Sequence, residues 1–515
     1  MIKKWDYIIV GAGSAGIPLA CKISEDPSIN VLLIDAGKNY EKISTTPNEI
    51  KNTSNKRSNN ENEYLSSISL NSEHTWGYIA QANHVKPKID IPRGKIFGGS
   101  SSINGLVFLR GMPADYDSWG NFGGTEWNFT KILPIFNRIE NDLDYKGDFH
   151  GNNGPIPVNR YKKESLNQEQ LAFIESSKIM GFKEILDHNE PDSEGVGPLP
   201  LNNLNEIRWS TSLSYLANLE KRKNLKFLSE FLVEKIIINK NIAKGIQGTK
   251  NHENIELYGS EIILCAGSIG TPQILMLSGI GLESHLKSHN ISLAVNLPGV
   301  GDNLRDHPMI HIRWNFNKLF KNDNNSKPQK VALRYTSKVS DIKNDMMSIM
   351  RINQNKKEIV ISSCLFSAKS SGTIKLKTSN PKDHPILDYR LLEDSFDLMR
   401  MREGVRINFE LGHKIPFKKI IDKLISPNDQ HIFDDQYLDN WLLKNVESTH
   451  HVSSTARMGK HDDPMSVVDQ FGKVYGVTNL RIADLSIMPD CIRANTNATA
   501  IMIGEKISEF ILSGK

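Results

Sequence analysis

Two neighbouring histidines, His450 and His451, are candidate catalytic residues. They precede three small hydroxyl residues, Ser453, Ser454 and Thr455. An imidazole can act as a base near neutral pH, although a lone histidine in such a stretch also fits a structural role. Because adjacent side chains of an extended stretch point to opposite faces, we expect at most one of the two histidines to face a site. The same geometry argues against metal chelation by the pair.

A second chemical pattern lies near the N-terminus, where Gly11, Gly13 and Gly16 form G-x-G-x-x-G. Gly11 allows a tight turn, Gly13 lets the backbone approach a pyrophosphate, and Gly16 lets a helix pack closely on a strand. The N-terminus of that helix would face the phosphates. Asp35 follows 19 residues after Gly16, where a carboxylate can accept hydrogen bonds from a ribose diol. The pattern predicts a dinucleotide site and does not distinguish NAD from FAD.

The elements that position this pattern are those of a βαβ unit. Residues 7–10 and 31–34 are continuous apolar runs, typical of strands buried in a parallel sheet. Residues 17–24 between them fit a helix, and the usual crossover makes the unit right-handed. Further strands are predicted at 233–239, 261–266, 358–362, 373–376 and 479–484, and further helices at 396–409 and 498–512.

Two glycine-rich segments lie between these elements. In residues 92–105, Gly98 and Gly99 precede three serines, whose hydroxyls and backbone N–H groups could bind a second polar part of a ligand. The same composition also fits a serine-rich turn. Residues 267–281 begin with a glycine at a strand end and finish on a Ser-Gly-Ile-Gly stop, with a Thr-Pro helix start between. By itself this segment indicates scaffold.

The sequence predicts no metal site. His307 and His311 have the i, i+4 spacing of a zinc motif, but Pro308 lies between them and no glutamate does. The four cysteines lie far apart without a C-x-x-C pair, at Cys21, Cys265, Cys364 and Cys491. This pattern fits neither a zinc site nor a disulfide framework and suits a reducing cytosol.

Composition excludes several classes of protein. The 515 residues are 38% apolar and 24% charged, typical of a globular chain rather than a disordered one. A net charge of +4 does not support a nucleic-acid partner. The N-terminus lacks the apolar region of a signal peptide, and its first apolar run is too short to span a membrane. We therefore expect a cytoplasmic protein without a transmembrane segment.

One polar segment stands out from this composition. Residues 48–63 contain almost no apolar side chain, so they are predicted to form an exposed, mobile loop. Such a loop could be a plain surface insertion or a lid over a site, and the sequence does not assign its role.

These blocks, in this order, resemble the glucose–methanol–choline (GMC) family of FAD-dependent oxidoreductases over nearly the whole chain. Residues 267–281 match the second signature of that family at every defined position, and residues 93–111 resemble the first. Residues 296–308 and 480–497 also look like family blocks. Within the family, the chain is similar to bacterial aryl- and furfuryl-alcohol oxidases of the hydroxymethylfurfural oxidase type. Choline dehydrogenases are the other close group.

The resemblance implies a fold class and a domain division. The class is α/β (α+β overall): a Rossmann-like FAD-binding domain interleaved with a smaller substrate domain of an antiparallel sheet and helices. We expect the discontinuous FAD-binding domain to comprise residues 1–155, 195–310 and 445–515. The substrate-binding domain would comprise residues 156–194 and 311–444. The active site would lie between the two, because domain interfaces favour pockets.

The resemblance also assigns site residues. His451 would be the catalytic base and Asn495 its partner, which hydrogen-bonds the developing alkoxide. Val233 would contact the adenine through its backbone, and Asp484 would lie near the ribityl chain. The residues expected to bind FAD are Gly11, Gly13, Ser14, Ala15, Gly16, Asp35, Ala36, Gly99, Ser100, Asn104, Gly105, Val233, Ala266, Asp484, Asn495 and Thr496.

Three departures from the family pattern bear on chemistry. Ile103 stands where some members have a histidine bonded to the flavin, so we expect non-covalent FAD. Val452 and Ser454 replace the usual Pro and Gly of the histidine block. His450 stands where an aromatic residue often lines the pocket. These changes leave the base in place and the substrate unassigned.

The function implied by the resemblance is oxidation of a primary alcohol (aryl, furanic or similar) to the aldehyde, with hydride transfer to the flavin. The partners would be a small alcohol and an electron acceptor, either oxygen or a quinone or cytochrome. The alternative is a flavin-dependent lyase or fatty-acid photodecarboxylase on the same fold, a class that lacks the base and is disfavoured by His451. A non-catalytic FAD-binding protein is disfavoured by the presence of both His451 and Asn495.

Overall fold

Two seven-stranded sheets organise the chain in a computed structural model that describes residues 4–515 except 41, 54–69, 218, 220–221, 318–319, 321–329 and 354–355. Up to residue 309 the strands are β1 (Lys4–Val10), β2 (Val31–Ile34), β3 (Tyr78–Ala80), β4 (Ile89–Ile91), β5 (Glu140–Asp142), β6 (Ile156–Val158), β7 (Gly195–Pro198), β8 (Asn203–Leu204), β9 (Ile207–Arg208), β10 (Leu225–Leu228), β11 (Leu232–Asn239), β12 (Ile242–Lys250), β13 (Glu253–Leu264), β14 (Ile280–Gly281) and β15 (Val295–Asn296). The later strands are β16 (Pro308–Phe316), β17 (Val331–Tyr335), β18 (Met346–Asn353), β19 (Glu358–Leu365), β20 (Thr373–Lys375), β21 (Ile386–Asp388), β22 (Ile421–Ser426), β23 (Glu447–Ser448) and β24 (Leu480–Ile482).

Helices pack against both sheets. They are α1 (Gly16–Ile23), α2 (Asn48–Lys51), α3 (Pro113–Ser118), α4 (Phe129–Ile139), α5 (Gln168–Ile179), α6 (Thr211–Tyr215), α7 (Gly267–Leu277), α8 (Glu283–Ser288), α9 (Ser395–His413), α10 (Ile415–Lys418), α11 (Asp435–Asn445) and α12 (Asn497–Leu512). Across the described parts of the chain, no helix combines the length and the apolar content needed to cross a bilayer.

The first sheet has a parallel half and an antiparallel half. Strands β10, β2, β1 and β13 pair in parallel in that order, and β24 pairs in parallel with the second half of β13. The first half of β13 pairs with β12, which pairs with β11, both antiparallel. In register, Val10 lies beside both Ile34 and Leu264, so the central parallel strands end at one level. Ligands of open parallel sheets bind beyond such strand ends.

The second sheet is antiparallel throughout, in the order β22, β16, β19, β18, β17 and β7, with β23 also paired to β16. The long helix α9 packs against β16, β18 and β19, and α11 packs against α9. This combination of a Rossmann-like sheet with a separate antiparallel sheet and helices confirms the predicted fold class. Each strand and helix predicted above also has a counterpart, with ends that differ by up to eight residues.

One strand pairs with the sheet of the domain to which it was not assigned. Residues 195–198 form β7 and pair with β17 at the edge of the second sheet, although they lie in the range 195–310 that we assigned to FAD binding. We therefore propose that this boundary follows residue 198. The rest of the division stays a proposal.

The two ends of the chain meet next to the glycine-rich turn. Helix α12 packs against α1, and a Cβ at Gly504 would lie 2.1 Å from the carbonyl oxygen of Ala15. Only a glycine permits that approach, because any side chain would displace the turn. The contact brings the residues around 495 beside the turn at 11–16.

The polar segment 48–63 differs in part from the expectation. Residues 48–51 form the one-turn helix α2, and Ile50 is buried against Ile96 and Ile103. The exposed-loop prediction is therefore wrong for this turn, because a single apolar side chain docks it onto the core. Residues 54–63 lie outside the described part of the chain.

Candidate active site

A cavity lies beyond the ends of the central parallel strands. It is bordered by the turn after β1, the end of β2, the start of β11 and the start of α7. The expected FAD-binding residues that line it are Gly11, Gly13, Ser14, Ala15, Asp35, Ala36, Gly99, Ser100, Val233, Ala266 and Asp484. We call it the first cavity.

The three glycines of the turn have different surroundings. A Cβ at Gly11, whose φ is +107°, would lie 2.3 Å from the carbonyl oxygen of Cys265. A Cβ at Gly16 would lie 1.9 Å from the carbonyl oxygen of Gly11, and Gly16 does not line the cavity. At Gly13 the nearest atom would be the Cα of Gly99, at 3.8 Å, so this glycine has open space before it. Gly11 and Gly16 thus serve backbone packing, and Gly13 leaves room for a ligand.

The carboxylate of Asp35, at the end of β2, hydrogen-bonds the glycine-rich turn that follows β1. Its two oxygens accept hydrogen bonds from the backbone N–H groups of Ala12, at 2.8 Å, and Gly37, at 2.7 Å. Burial raises the pKa of Asp35 to about 6, and these two bonds oppose the rise. The side chain therefore fixes the loop while it remains on the cavity wall.

Asp484 connects the start of α7 to the segment at 484–486 on the wall of the first cavity. It accepts hydrogen bonds from the N–H of Gly267, at 2.9 Å, the hydroxyl of Thr271, at 2.6 Å, and the N–H of Ser486, at 2.8 Å. Burial raises the pKa of this carboxyl. The segment 267–281, which by itself indicated scaffold, thus lines the cavity at its first turn.

A second cavity continues from the first. Five residues line both: Ser14, Arg93, Ser100, Leu485 and Ala500. The expected site residues in the second cavity are Ser14, Ser100, Asn104, Gly105, His451, Asn495 and Thr496. Taken with the first cavity, every expected site residue except Gly16 lines one cavity or the other.

Both histidines of the pair line the second cavity, so the expectation that at most one would face a site is wrong. The reason is the backbone: His450 has φ +65°, in the left-handed region, and the stretch is not extended there. The alternation of faces that applies to a strand does not apply to such a turn.

His451 has a defined partner on each ring nitrogen. Its Nε2 lies 3.1 Å from the amide nitrogen of Asn495. Its Nδ1 lies 2.9 Å from the hydroxyl of Thr449 and 2.9 Å from Nδ1 of His307. Because an amide N–H can only donate, Nε2 of His451 is the accepting nitrogen and Nδ1 carries the proton.

The backbone around this base is held by a buried carboxylate. Asp306 accepts hydrogen bonds from the N–H groups of His307, at 2.7 Å, and His451, at 2.9 Å, and from the hydroxyls of Ser448 and Thr449. Asp306 is 4% exposed. These bonds tie the strand start at 307 to the loop at 448–451.

The electrostatics of the second cavity favour neutral imidazoles. Burial first, and then His307, Arg93 and His450, hold the pKa of His451 well below 6.5. Burial and Arg93 lower the pKa of His450 to about 3, and burial lowers that of His307 to about 3. A neutral His451 keeps on Nε2 the lone pair that a base needs.

Arg93, on the wall of the second cavity, and His307, which contacts His451 but does not line that cavity, were not among the expected site residues. His307 was considered only as a metal ligand, and its position directly before a strand and next to Asp306 was the available signal. Arg93 lies within the glycine-rich segment 92–105, yet its side chain had no assigned part. Both were overlooked because their partners lie more than 100 residues away along the chain.

His307 and His311 do not share a ligand. His311 lies within β16, where its Nδ1 is 2.8 Å from the hydroxyl of Ser362, while His307 faces His451. Four residues along a strand span about 13 Å, too far for one metal ion.

One other group has ligand atoms close enough for a metal ion: Glu140, Asp142 and His150. Arg110 pairs with Glu140, and a guanidinium nitrogen of Arg160 lies 2.8 Å from Asp142. Although burial opposes it, hydrogen bonds to carboxylates, Asp142 first, raise the pKa of His150 to about 10. Both carboxylates are thus paired with guanidinium groups, and the cluster forms an ion-pair network.

Buried polar atoms without partners show that the cavities suit a polar ligand. Among the described residues, the hydroxyl of Ser268 in the first cavity has no hydrogen-bond partner. The same holds for Nδ1 of His450 and Oδ1 of Asn495 in the second. Buried groups of this kind usually bind a ligand or ordered water. Together with the open face of Gly13, they fit a dinucleotide cofactor such as FAD.

Comparisons with known proteins agree with this geometry. Family models described as GMC oxidoreductase match residues 5–309 and residues 368–504. The oxygen-dependent choline dehydrogenases of Vibrio vulnificus and Brucella ovis are 31% and 33% identical, covering 99% and 98% of this chain and 95% of each relative. The solved structure of pyridoxine 4-oxidase from Mesorbium loti has a TM-score of 0.90 at 25% identity and covers 99% of both chains. The chain therefore belongs to the GMC oxidoreductase family, whose members bind FAD and oxidise CH–OH donors.

Proposed function

We propose that this protein oxidises a primary alcohol, aryl, furanic or similar, to the corresponding aldehyde, with His451 as the base and Asn495 as its partner. The observation that carries the proposal is the 3.1 Å contact between Nε2 of His451 and the amide of Asn495, at the wall of a cavity that continues into the cofactor cavity. One base, one hydrogen-bond donor and room for a cofactor are what alcohol oxidation needs.

His451 and Asn495 have complementary tasks in this proposal. The lone pair on Nε2 of His451 accepts the hydroxyl proton of the alcohol. The amide N–H of Asn495 then donates a hydrogen bond to the oxygen as negative charge develops on it. Each group is expected to accelerate the reaction about 10²–10⁴-fold. The unpartnered Oδ1 of Asn495 is free to bind a second polar group of the substrate.

The cofactor residues divide along the two cavities. We propose that the turn at 11–16 and Asp35 hold the ADP half of FAD, Val233 the adenine, and Asp484 the ribityl chain. Gly99, Ser100 and Asn104 would lie along the flavin, where the two cavities meet. Held by these residues, FAD would supply the hydride acceptor for the alcohol carbon. Ile103 on the wall of the second cavity offers no nucleophile, which supports non-covalent binding.

The names of similar proteins support the reaction class. Choline and pyridoxine, the compounds named for the relatives and the solved structure, are both alcohols. One of these names specifies oxygen dependence and the other an oxidase, which favours oxygen over a quinone or cytochrome as electron acceptor.

The test is an anaerobic panel of alcohols mixed with the purified yellow protein. Loss of the flavin absorbance at about 450 nm with an aryl or furanic alcohol, followed by aldehyde formation, is the expected result. Reoxidation by air, compared with reoxidation by a quinone-like dye, then identifies the acceptor. If no alcohol of the panel bleaches the flavin, the proposed function is wrong.

A further inference from the structure

We propose that Arg493 is a positioning residue of the reaction: it holds the irregular segment that carries Asn495 and thereby keeps the Asn495 amide against His451. The inference rests on the proposed function, because it concerns the hydrogen-bond donor of that reaction. Arg493 itself lines neither cavity. Its effect on the chemistry therefore passes through a residue that does.

Asn495 lies on a segment that needs outside support. Strand β24 ends at Ile482 and α12 begins at Asn497, and residues 488–496 between them belong to no helix or strand. The hydrogen bonds that fix the backbone of a regular element are therefore missing from this stretch. An amide that must stay 3.1 Å from Nε2 of His451 still requires a fixed backbone.

The carboxylate of Asp115, on α3, supplies one side of that support. Its Oδ2 accepts a hydrogen bond from the backbone N–H of Arg493, at 2.8 Å, and its Oδ1 accepts one from Nε of Arg493, at 2.6 Å. Oδ2 also accepts from the backbone N–H of Met112, at 2.8 Å, directly before the same helix. Asp115 and Arg493 are 8% and 7% exposed. The pair thus joins the backbone two residues before Asn495 to the start of α3.

The second sheet supplies the other side. Nη1 of Arg493 donates to the backbone carbonyl of Lys343, at 2.6 Å, in the connection between β17 and β18. The backbone carbonyl of Arg493 accepts from a guanidinium nitrogen of Arg334, on β17, at 3.2 Å. Arg334 is buried and also donates to the carbonyl of His188, at 3.0 Å. Arg493 is therefore held through its N–H, its carbonyl and its side chain.

A displacement at Arg493 would reach Asn495 directly. One residue, Ala494, separates the two, and its N–H donates to the carbonyl of Ile492, at 2.9 Å, in a tight turn. A guanidinium presents several donors in fixed directions, so it can bind Asp115 and the Lys343 carbonyl together, whereas a lysine ammonium is a single point charge. Because a misplacement of about 1 Å can cost about 10²-fold in rate, loss of these bonds should weaken the donation by Asn495.

The experiment compares Arg493→Lys and Arg493→Gln with Arg481→Lys. Arg481 is a matched control, since it is 5% exposed, pairs with Glu261 and lines neither cavity. The limiting rate of flavin reduction by the best alcohol is measured anaerobically. We expect it to fall about threefold to tenfold in Arg493→Lys and about tenfold or more in Arg493→Gln, with FAD content unchanged. Arg481→Lys should keep the parent rate.

A double-mutant cycle tests whether the effect passes through Asn495. In a chain that already carries Asn495→Ala, Arg493→Lys should change the rate by less than about twofold, because the group that it positions is gone. A merely structural role would lower the rate by the same factor in both backgrounds.

Hydrogen exchange provides a measurement that needs no substrate. Exchange of the backbone amides in a peptide spanning residues 488–497 should be faster in both Arg493 variants than in the parent, and unchanged in Arg481→Lys. Parent-like exchange in both Arg493 variants would overturn the inference.

The outcomes separate this inference from the proposed function. If no alcohol reduces the flavin of the parent, the proposed function fails, while hydrogen exchange still reports whether Arg493 holds the segment. If alcohols are oxidised but both Arg493 variants keep the parent rate, or the loss is equal with and without Asn495, the inference is overturned. If Arg493→Gln does not fold, Arg493→Lys decides, and failure of both variants to bind FAD would assign Arg493 to folding and also overturn it.

Discussion

Nδ1 of His307 lies 2.9 Å from Nδ1 of His451, so one of these two nitrogens donates a hydrogen bond to the other. Nε2 of His307 lies 3.1 Å from the sulfur of Cys491. Nε2 of His451 accepts from the amide nitrogen of Asn495, so the proton of a neutral His451 is on Nδ1. His307 therefore accepts from Nδ1 of His451, and the lone pair of His451 is on Nε2, on the side of Asn495 and the second cavity.

The first prediction concerns this imidazole pair. His307→Phe removes the acceptor, so His451 loses its fixed tautomer and orientation, and kcat should fall roughly 10- to 100-fold. His307→Gln keeps an acceptor and should lose less. The flavin content of each variant, from its absorbance, shows whether the cofactor cavity is intact.

His311→Gln is the matched control for that prediction, because His311 is also buried and lies on the strand that begins directly after His307. Its ring nitrogens contact Ser362 and Arg351 rather than the base. Parent-like turnover in His307→Phe would show that His451 is oriented without its neighbour.

The second prediction is a pH profile. Burial, His307, Arg93 and His450 hold the pKa of His451 well below 6.5, so the free base is the main form at pH 6.5 and above. Activity requires that form. Between pH 8 and pH 6.5, kcat/KM should stay flat, and its acid limb should begin well below 6.5. A limb at or above pH 6.5, measured by rapid-mixing flavin reduction, would contradict a base in this environment.

The third prediction uses two glycines of one motif. At Gly13 a methyl group would enter open space, so Gly13→Ala should fold with a melting temperature near that of the parent apoprotein but bind FAD weakly. At Gly16 the methyl would lie 1.9 Å from a backbone oxygen, so Gly16→Ala should lower the melting temperature of the apoprotein markedly. Calorimetry of the apoproteins and FAD titration would test both. Equal melting temperatures would refute the distinction.

The sequence predicted those parts of the fold whose information is local. The βαβ unit at 7–35 combines two apolar runs with the turn glycines. Each of these short patterns indicates one element, and the elements follow one another directly along the chain. Strand β12 was not predicted, although two-residue turns with positive φ precede and follow it at 240–241 and 251–252. Their residues, Lys-Asn and Asn-His, lack the glycine that usually marks such hairpins.

The site was predicted less completely, because its geometry depends on distant contacts. The roles of His451 and Asn495 were predicted from the family resemblance, because the residue types alone left a structural role open. The left-handed φ of His450 and the 2.9 Å contact between His307 and His451 depend on how two remote segments pack. The position of the Arg93 side chain could not be predicted, because it donates to the carbonyl of His450, 357 residues further along the chain.

The fourth prediction concerns how FAD is attached. Ile103 lies on the wall of the second cavity where a histidine would be needed to bond the flavin. Acid precipitation should therefore release the yellow cofactor into the supernatant, and the protein mass should equal that of the polypeptide alone. A flavin-sized mass increase on the intact chain would show that another residue forms the bond.

The fifth prediction separates the two adjacent histidines, which line the same cavity and are matched in type. His451→Gln removes the lone pair that faces the substrate, so kcat should fall by about 10²–10⁴-fold while FAD stays bound. Among the described residues, Nδ1 of His450 has no hydrogen-bond partner, and the amide of Asn495 bonds His451 instead. His450→Gln should therefore change KM more than kcat, because its ring can touch the substrate without accepting the reacting proton.

Steady-state kinetics on the best alcohol, with flavin content as the check on folding, distinguish the two. Equal losses of kcat in both variants would mean that the pair acts as a unit, and a larger loss in His450→Gln would transfer the role of base to His450.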